Sequence, residues 1–92
     1  MSGVPADAKP RLARGVRLSE DRVRGGWNLL APERVLKANS VTVEILKLCD
    51  GVRTFGDIVE LLAARFDADR ARIGSDAGTL LADLSSKRMV EL

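Results

Sequence analysis

The chain has 92 residues, 46% of them hydrophobic and 30% charged, the balance of an ordinary soluble globular protein and the length of one domain. It contains no His and a single Cys, which removes the commonest general base, the commonest metal ligand, an internal disulfide and a thiolate metal cluster. A core this small, with Trp27, Phe55 and Phe66 as its only aromatic residues, leaves little room for a deep active-site cavity.

Net charge is +2 but unevenly placed: residues 1–40 carry eight basic side chains against four acids, and residues 41–92 carry seven against nine. This reads either as a solvated surface of mixed sign or as an N-terminal half that attracts an acidic partner. Residues 1–15 hold no apolar stretch long enough for a signal-peptide core, and no segment approaches the ~20 apolar residues of a membrane span. The expectation is a cytoplasmic protein with no membrane contact, and the unpaired Cys49 fits a reducing compartment.

Residues 1–10, small and Pro-containing, predict a disordered tail or linker remnant, with the folded domain over 11–92. Val16-Arg17-Leu18 is extended. Gly25-Gly26 supplies the positive φ angles of a tight hairpin turn, with Arg22-Val23-Arg24 and Trp27-Asn28-Leu29-Leu30 as its flanking strands. Ala31-Pro32-Glu33 is a second turn, and Arg34-Val35-Leu36-Lys37 a third short strand. Residues 16–37 thus predict a small antiparallel sheet.

The second half is helical. Asn39 or Ser40 caps a helix that runs to about Cys49, with Val41, Ile45 and Leu48 at helical spacing and Asp50-Gly51 as the stop. Thr54 caps a second helix, with Asp57 in the capping-box position. Phe55, Ile58, Val59, Leu62 and Phe66 form its apolar stripe. Asp67-Ala68-Asp69 marks a break, after which Ile73, Ala77, Leu80, Leu81 and Leu84 define a third helix. Gly74 and Gly78 inside it each cost up to ~1 kcal/mol relative to Ala. Lys87-Arg88 suit its negative end, and Met89–Leu92 is a frayed end or short strand. The fold class is α+β and winged-helix-like: a small three-stranded antiparallel sheet followed by a three-helix bundle.

The options for catalysis are poor. Ser19, Ser40, Ser75, Ser85 and Ser86 have no His to activate them, and Cys49 lies in an apolar run where a buried structural thiol is the better reading. Asp76 and Asp83, a heptad apart, lack a third metal ligand. Gly25-Gly26 leads into a strand and not into a helix with a Lys, so there is no phosphate loop. A nucleic-acid binder needs a helix offering bases to the groove, whereas in the third helix Asp69, Asp76 and Asp83 interrupt the flank and Arg70, Arg72, Lys87 and Arg88 sit at the ends. A peptide or protein partner fits better. A short sheet has an edge to which a strand can be added, and Arg34–Lys37 is the edge indicated.

These segments together resemble the PqqD family. The carrying residues are Pro10 and Gly15-Val16-Arg17-Leu18, Gly26-Trp27 with Leu29-Leu30 and Pro32-Glu33, Val35-Leu36 and Asn39. They continue with Ile45, Leu48-Cys49-Asp50-Gly51, Thr54 with Ile58-Val59, and Asp76 with Leu80-Leu81 and Leu84. The resemblance covers about residue 10 to the end. It departs after the third helix, where relatives usually carry a Gly and this chain has Lys87-Arg88-Met89.

The resemblance implies a non-catalytic peptide chaperone of pyrroloquinoline quinone biosynthesis, a RiPP recognition element that needs no cofactor. It implies binding of the precursor peptide PqqA and its presentation to the radical S-adenosylmethionine enzyme PqqE, which joins a Glu and a Tyr of the peptide. Fusion to the late oxidase PqqC occurs in some organisms and would account for a linker-like N-terminus. The resemblance further implies that the peptide lies as an added strand in a groove bordered by the third helix. Carried onto this chain, that site is Arg34, Val35, Leu36 and Lys37 on the strand with Arg72, Asp76, Leu80 and Asp83 on the helix. Arg34 and Lys37 would suit an acidic peptide. On this reading Leu36→Pro removes an edge amide. The alternative is a winged-helix nucleic-acid-binding domain.

Overall fold

Which side chains must face the helices decides how the first half of the chain pairs. The structure, a computed structural model, describes residues 4–92; the first three residues of the expected tail lie outside the described residues. Strands β1 (Arg11–Leu12), β2 (Arg17–Glu20), β3 (Trp27–Ala31) and β4 (Arg34–Ala38) precede helices α1 (Ser40–Lys47), α2 (Phe55–Phe66) and α3 (Arg70–Ser86), and β5 (Val90–Glu91) ends the chain. β2, β3 and β4 form an antiparallel meander in that order, and β1 pairs with β5.

Register puts Leu18 opposite Leu29 and Leu29 opposite Leu36, so one face of the sheet carries a row of leucines toward the helices. Leu29, in the middle strand, is 2% exposed. This row excludes the expected strand at Arg22-Val23-Arg24. A two-residue turn at Gly25-Gly26 would have set Arg22 opposite Leu29, with a charge on the buried face. The chain instead turns over residues 21–26, where the Asp21 carboxylate accepts from the amides of Val23 and Arg24 at 3.1 and 3.0 Å. Gly25 and Gly26 take φ of +80° and +84° there, which L-residues rarely adopt. The Pro32-Glu33 turn does join β3 and β4, with Ala31 opposite Arg34.

Helix ends follow the side chains available to them. Asn39, and not Ser40, is the α1 cap, accepting from Thr42 N at 2.8 Å. Thr54 and Asp57 make the full capping box of α2 at 3.1 Å each way. Packing is already present before residue 10. Val4 is buried at 8% exposure, and the carbonyls of Ala8 and Ala6 accept from Phe55 N and Gly56 N at 2.7 and 2.9 Å. These are the first two amides of α2, which no helical carbonyl can reach. Thr54 Oγ1 serves the third.

The end of α3 is a Schellman motif. Met89 N donates to Leu84 O at 2.9 Å and Arg88 N to Ser85 O at 3.0 Å, and Arg88 takes φ of +61°, the position at which helices usually place glycine. Beyond it the chain does not fray. Met89 and Val90 are 1% and 2% exposed, and β5 pairs Val90 with Leu12 and Glu91 with Arg11. An Arg11–Glu91 ion pair of 2.6 Å lies across this clasp. The core runs through Ile58 and Leu62 of α2, Ala77, Leu81 and Leu84 of α3, and Leu29, Met89 and Val90 from the strands. Lys47, at the end of α1, lies 5.0 Å from the Trp27 ring and ties α1 to β3. The winged-helix description holds only in the loose sense of helices against a small sheet, since the three-stranded sheet comes first in the chain.

Candidate functional site

Strand β4 has β3 on one side and no strand on the other among the described residues. Antiparallel pairs alternate between hydrogen-bonded and non-hydrogen-bonded positions. The Ala31–Arg34 pair closes the two-residue turn and sets the phase, so Ala31–Arg34, Leu29–Leu36 and Trp27–Ala38 are the bonded pairs. The Asp21 N to Gly26 O bond of 2.8 Å fixes the same alternation from the β2 side. Val35 and Lys37 therefore turn their amides and carbonyls outward at the free edge. Leu36 turns its amide inward to Leu29, so Leu36→Pro would break the β3–β4 ladder and would not remove an edge amide.

Between this edge and α3 lies a groove of about 230 Å³. Leu29 and Leu36 from the sheet and Leu80 and Leu84 from α3 supply its apolar surfaces, with Ala38 and Thr42 where β4 passes into α1. Lys37, Asp83 and Lys87 carry its charges. Lys87 Nζ and Asp83 Oδ2 are 2.9 Å apart on adjacent turns of α3. Both are well exposed, so this pair contributes only a few tenths of a kcal/mol, but it holds a charge of each sign at the groove.

The sequence-derived site is divided by the structure. Leu36, Lys37, Leu80 and Asp83 share the groove. Val35 contributes backbone at the edge, while its side chain is 62% exposed on the opposite face from Leu36. Arg34 lines a separate cleft at the Pro32-Glu33 turn. Arg72 and Asp76, 3.8 Å apart in a loose ion pair, border an apolar hollow of about 290 Å³ built from Val41, Ile45, Leu62, Phe66, Ile73 and Ala77. Val41 and Phe66 are half exposed beside it. One face of α3 connects the hollow to the groove, passing from Ile73 and Ala77 to Leu80, Leu84 and Lys87. At 1.5 Å per residue that face is about 21 Å long.

Thr42, Leu84 and Lys87 are groove residues that the sequence reading did not place there. Leu84 follows the stripe that elsewhere faces the core, and Lys87 suits the helix end, so each had a sufficient local explanation. The charged and nucleophilic groups offer little toward covalent chemistry. No polar or charged residue is buried among the described residues. Cys49 is buried, its thiol pushed up to about 12 by burial and then by the neighbouring Asp50 charge, and Sγ donates to Ile45 O at 3.3 Å. A thiol held neutral in this way is a poor nucleophile. Asp50 itself is held below the usual carboxylate range, chiefly by the Arg53 amide and then by that of Val52, in a turn that serves the α1–α2 connection. No group of three His, Cys, Asp or Glu side chains that could hold a metal occurs among the described residues, and no helix there is long and apolar enough to cross a membrane.

Residues 26–90 match the model of coenzyme PQQ synthesis protein D, PqqD. A protein named PqqA binding protein from Xanthomonas axonopodis pv. citri is 44% identical over the whole length of both chains. One of the same name from Rhodopseudomonas palustris is 48% identical over 91% of this chain and 82% of its own. The solution structure of the PqqD portion of Methylobacterium extorquens PqqCD is described as a functional, stand-alone RiPP recognition element. It superposes with a TM-score of 0.84 at 42% identity, covering 99% of this chain and 97% of that one. The crystal structure of PqqD from Xanthomonas campestris gives 0.62 at 39% identity, with 97% and 99% coverage.

Proposed function

The chain belongs to the PqqD family, and from that premise we propose that it is a non-catalytic peptide-binding domain for a PqqA precursor peptide. The peptide adds as a strand to the β4 edge, and the domain presents it to the radical S-adenosylmethionine enzyme PqqE. The observation that carries this reading is the pair of outward backbone sites at Val35 and Lys37 on the strand that borders the leucine-lined groove. An added strand satisfies such sites with main-chain hydrogen bonds, and the leucine-lined groove selects alternate side chains. The names of the relatives, PqqA binding protein, and the RiPP recognition element of the M. extorquens structure support the choice of ligand. The domain contributes position and requires no cofactor of its own. The PqqC–PqqD fusion of that neighbour makes PqqC a candidate companion in the cell interior.

The test is an NMR titration of the labelled domain with synthetic PqqA, with a short DNA duplex in parallel. Shifts should concentrate at residues 35–37 and along α3 from Leu80 to Lys87, and DNA should produce none. Val35→Pro removes an outward amide from an edge position where proline is tolerated. It should weaken PqqA binding about five- to tenfold, the worth of one hydrogen bond, with the helix resonances unchanged. Wild-type affinity in that folded variant would exclude strand addition on this edge. Salt-dependent binding of DNA with PqqA silent would favour the nucleic-acid alternative.

A further inference from the structure

A third cleft, of about 320 Å³, opens where the Pro32-Glu33 turn meets the end of α3. Arg14, Arg34, Lys87 and Arg88 line it over an apolar floor that includes Val16 and Met89. Glu33 is its single acid. Of the four bases only Lys87 has an ion-pair partner, Asp83, while Arg14, Arg34 and Arg88 have no carboxylate within ion-pair distance among the described residues. Four bases gathered about a single lining acid repel one another, and an incoming carboxylate relieves that repulsion.

Arg88 adds an independent observation. It holds the left-handed position of the α3 Schellman motif, where glycine is the unstrained residue. A strained residue at a cleft points toward function, and here the strain is borne by a residue that lines that cleft. The cleft also continues the groove. Lys87 lines both, and Arg34 is the first residue of β4.

We propose, building on the function given above, that this cleft is the subsite for an acidic side chain of the bound peptide. Arg14, Arg34 and Arg88 together supply the N–H donors for its carboxylate. The groove then has a sense: a carboxylate at the turn end of β4 and an apolar side chain in the hollow beside Ile73. The α3 face joining the two spans about 21 Å, the length of roughly six extended residues. The recognised segment therefore carries its acid and its apolar anchor about six positions apart.

The experiment measures PqqA affinity by calorimetry for the wild type, Arg88→Gly, the double variant Arg14→Gln/Arg34→Gln, and Val35→Pro. A second PqqA peptide has each Asp and Glu replaced by Asn and Gln. Arg88→Gly relaxes the backbone while removing the charge, so the variant remains folded. It should weaken binding on the order of threefold at low salt and flatten the salt dependence. The amidated peptide should lose at least that factor with the wild type and a smaller factor with Arg88→Gly, in which Arg14 and Arg34 remain. Unchanged affinity in both arginine variants, with Val35→Pro weakened, would overturn the subsite and leave the groove standing. An equal loss in Arg88→Gly for both peptides would also overturn it, because charge would not be the cause. Absence of any PqqA binding by the wild type would remove the functional reading and the subsite together.

Discussion

Arg88→Gly should stabilise the domain, although it deletes a side chain and adds no contact. At φ of +61° an L-residue bears a steric penalty of about 1–2 kcal/mol. Glycine escapes that penalty but gives back about 0.4–1 kcal/mol through its freedom in the unfolded chain. The difference is a net gain of about 0.5–1 kcal/mol, which for a domain of this size raises Tm by roughly 2–8 °C. Thermal melts followed by circular dichroism measure it. Arg88→Ala is the control, because it removes the guanidinium and keeps the Cβ, and it should melt near the wild type. Asp67→Gly, at the other left-handed residue with φ of +48°, should gain less, since Asp tolerates that region through local hydrogen bonding. An Arg88→Gly protein melting at or below the wild type would refute the strain argument and show that the arginine stem packs to advantage. With its weaker peptide binding, the expected gain would make position 88 a site where stability is given up for recognition.

Deleting residues 1–8 should destabilise the domain by on the order of 3 kcal/mol, from the lost burial of Val4 and the two α2 amides left without acceptors; urea denaturation would read this as a lower midpoint. Cys49 should resist thiol reagents near pH 8 in the native protein and react on unfolding. Its ordinary value is 9.0 and its folded value about 12, so its contribution to stability is complete below the first and is lost as pH rises toward the second. Melts from neutral to alkaline pH should fall accordingly, and less steeply in Cys49→Ala. Asp50 behaves with the opposite sign. Its folded carboxyl lies below the ordinary 3.8, so its contribution is complete above that value and is lost as pH falls through the folded one. Asp50→Asn should therefore lower Tm at neutral pH, by a difference that shrinks as pH falls below 3.8.

Local signals carried the helices. Thr54 with Asp57 and Asn39 before an apolar stripe are chemical statements about a helix start, and the structure reads them as written. The β2–β3 connection misled because Gly25-Gly26 satisfies a two-residue turn, whereas the row Leu18, Leu29, Leu36 demands a longer loop closed by Asp21. The N-terminal segment was illegible for a different reason. Val4 is one apolar residue without periodicity, and the hydrogen-bond partners of Ala6 and Ala8 lie some fifty positions away at the start of α2. The β4 edge was legible as a strand, but which residues present open amides depends on pairing phase, which no single strand encodes. Arg72, Asp76, Leu80 and Asp83 do lie along one side of α3, but that side passes two separate concavities, and only packing against α1 and β4 divides them.

The β1–β5 clasp has a consequence for the order in which the molecule assembles. It joins residues 80 positions apart, whereas the sheet meander and the helices form from neighbours in sequence. Closing so long a loop is the slow, entropically costly step, so the β4 edge takes shape before Met89 and Val90 seal the core. The strand edge is thus expected early in folding and the clasp late. Opening of that clasp, readable as faster amide exchange at Ala13, whose amide donates to Met89 O, than at Leu29, would loosen the chain ends while leaving the β4 edge in place.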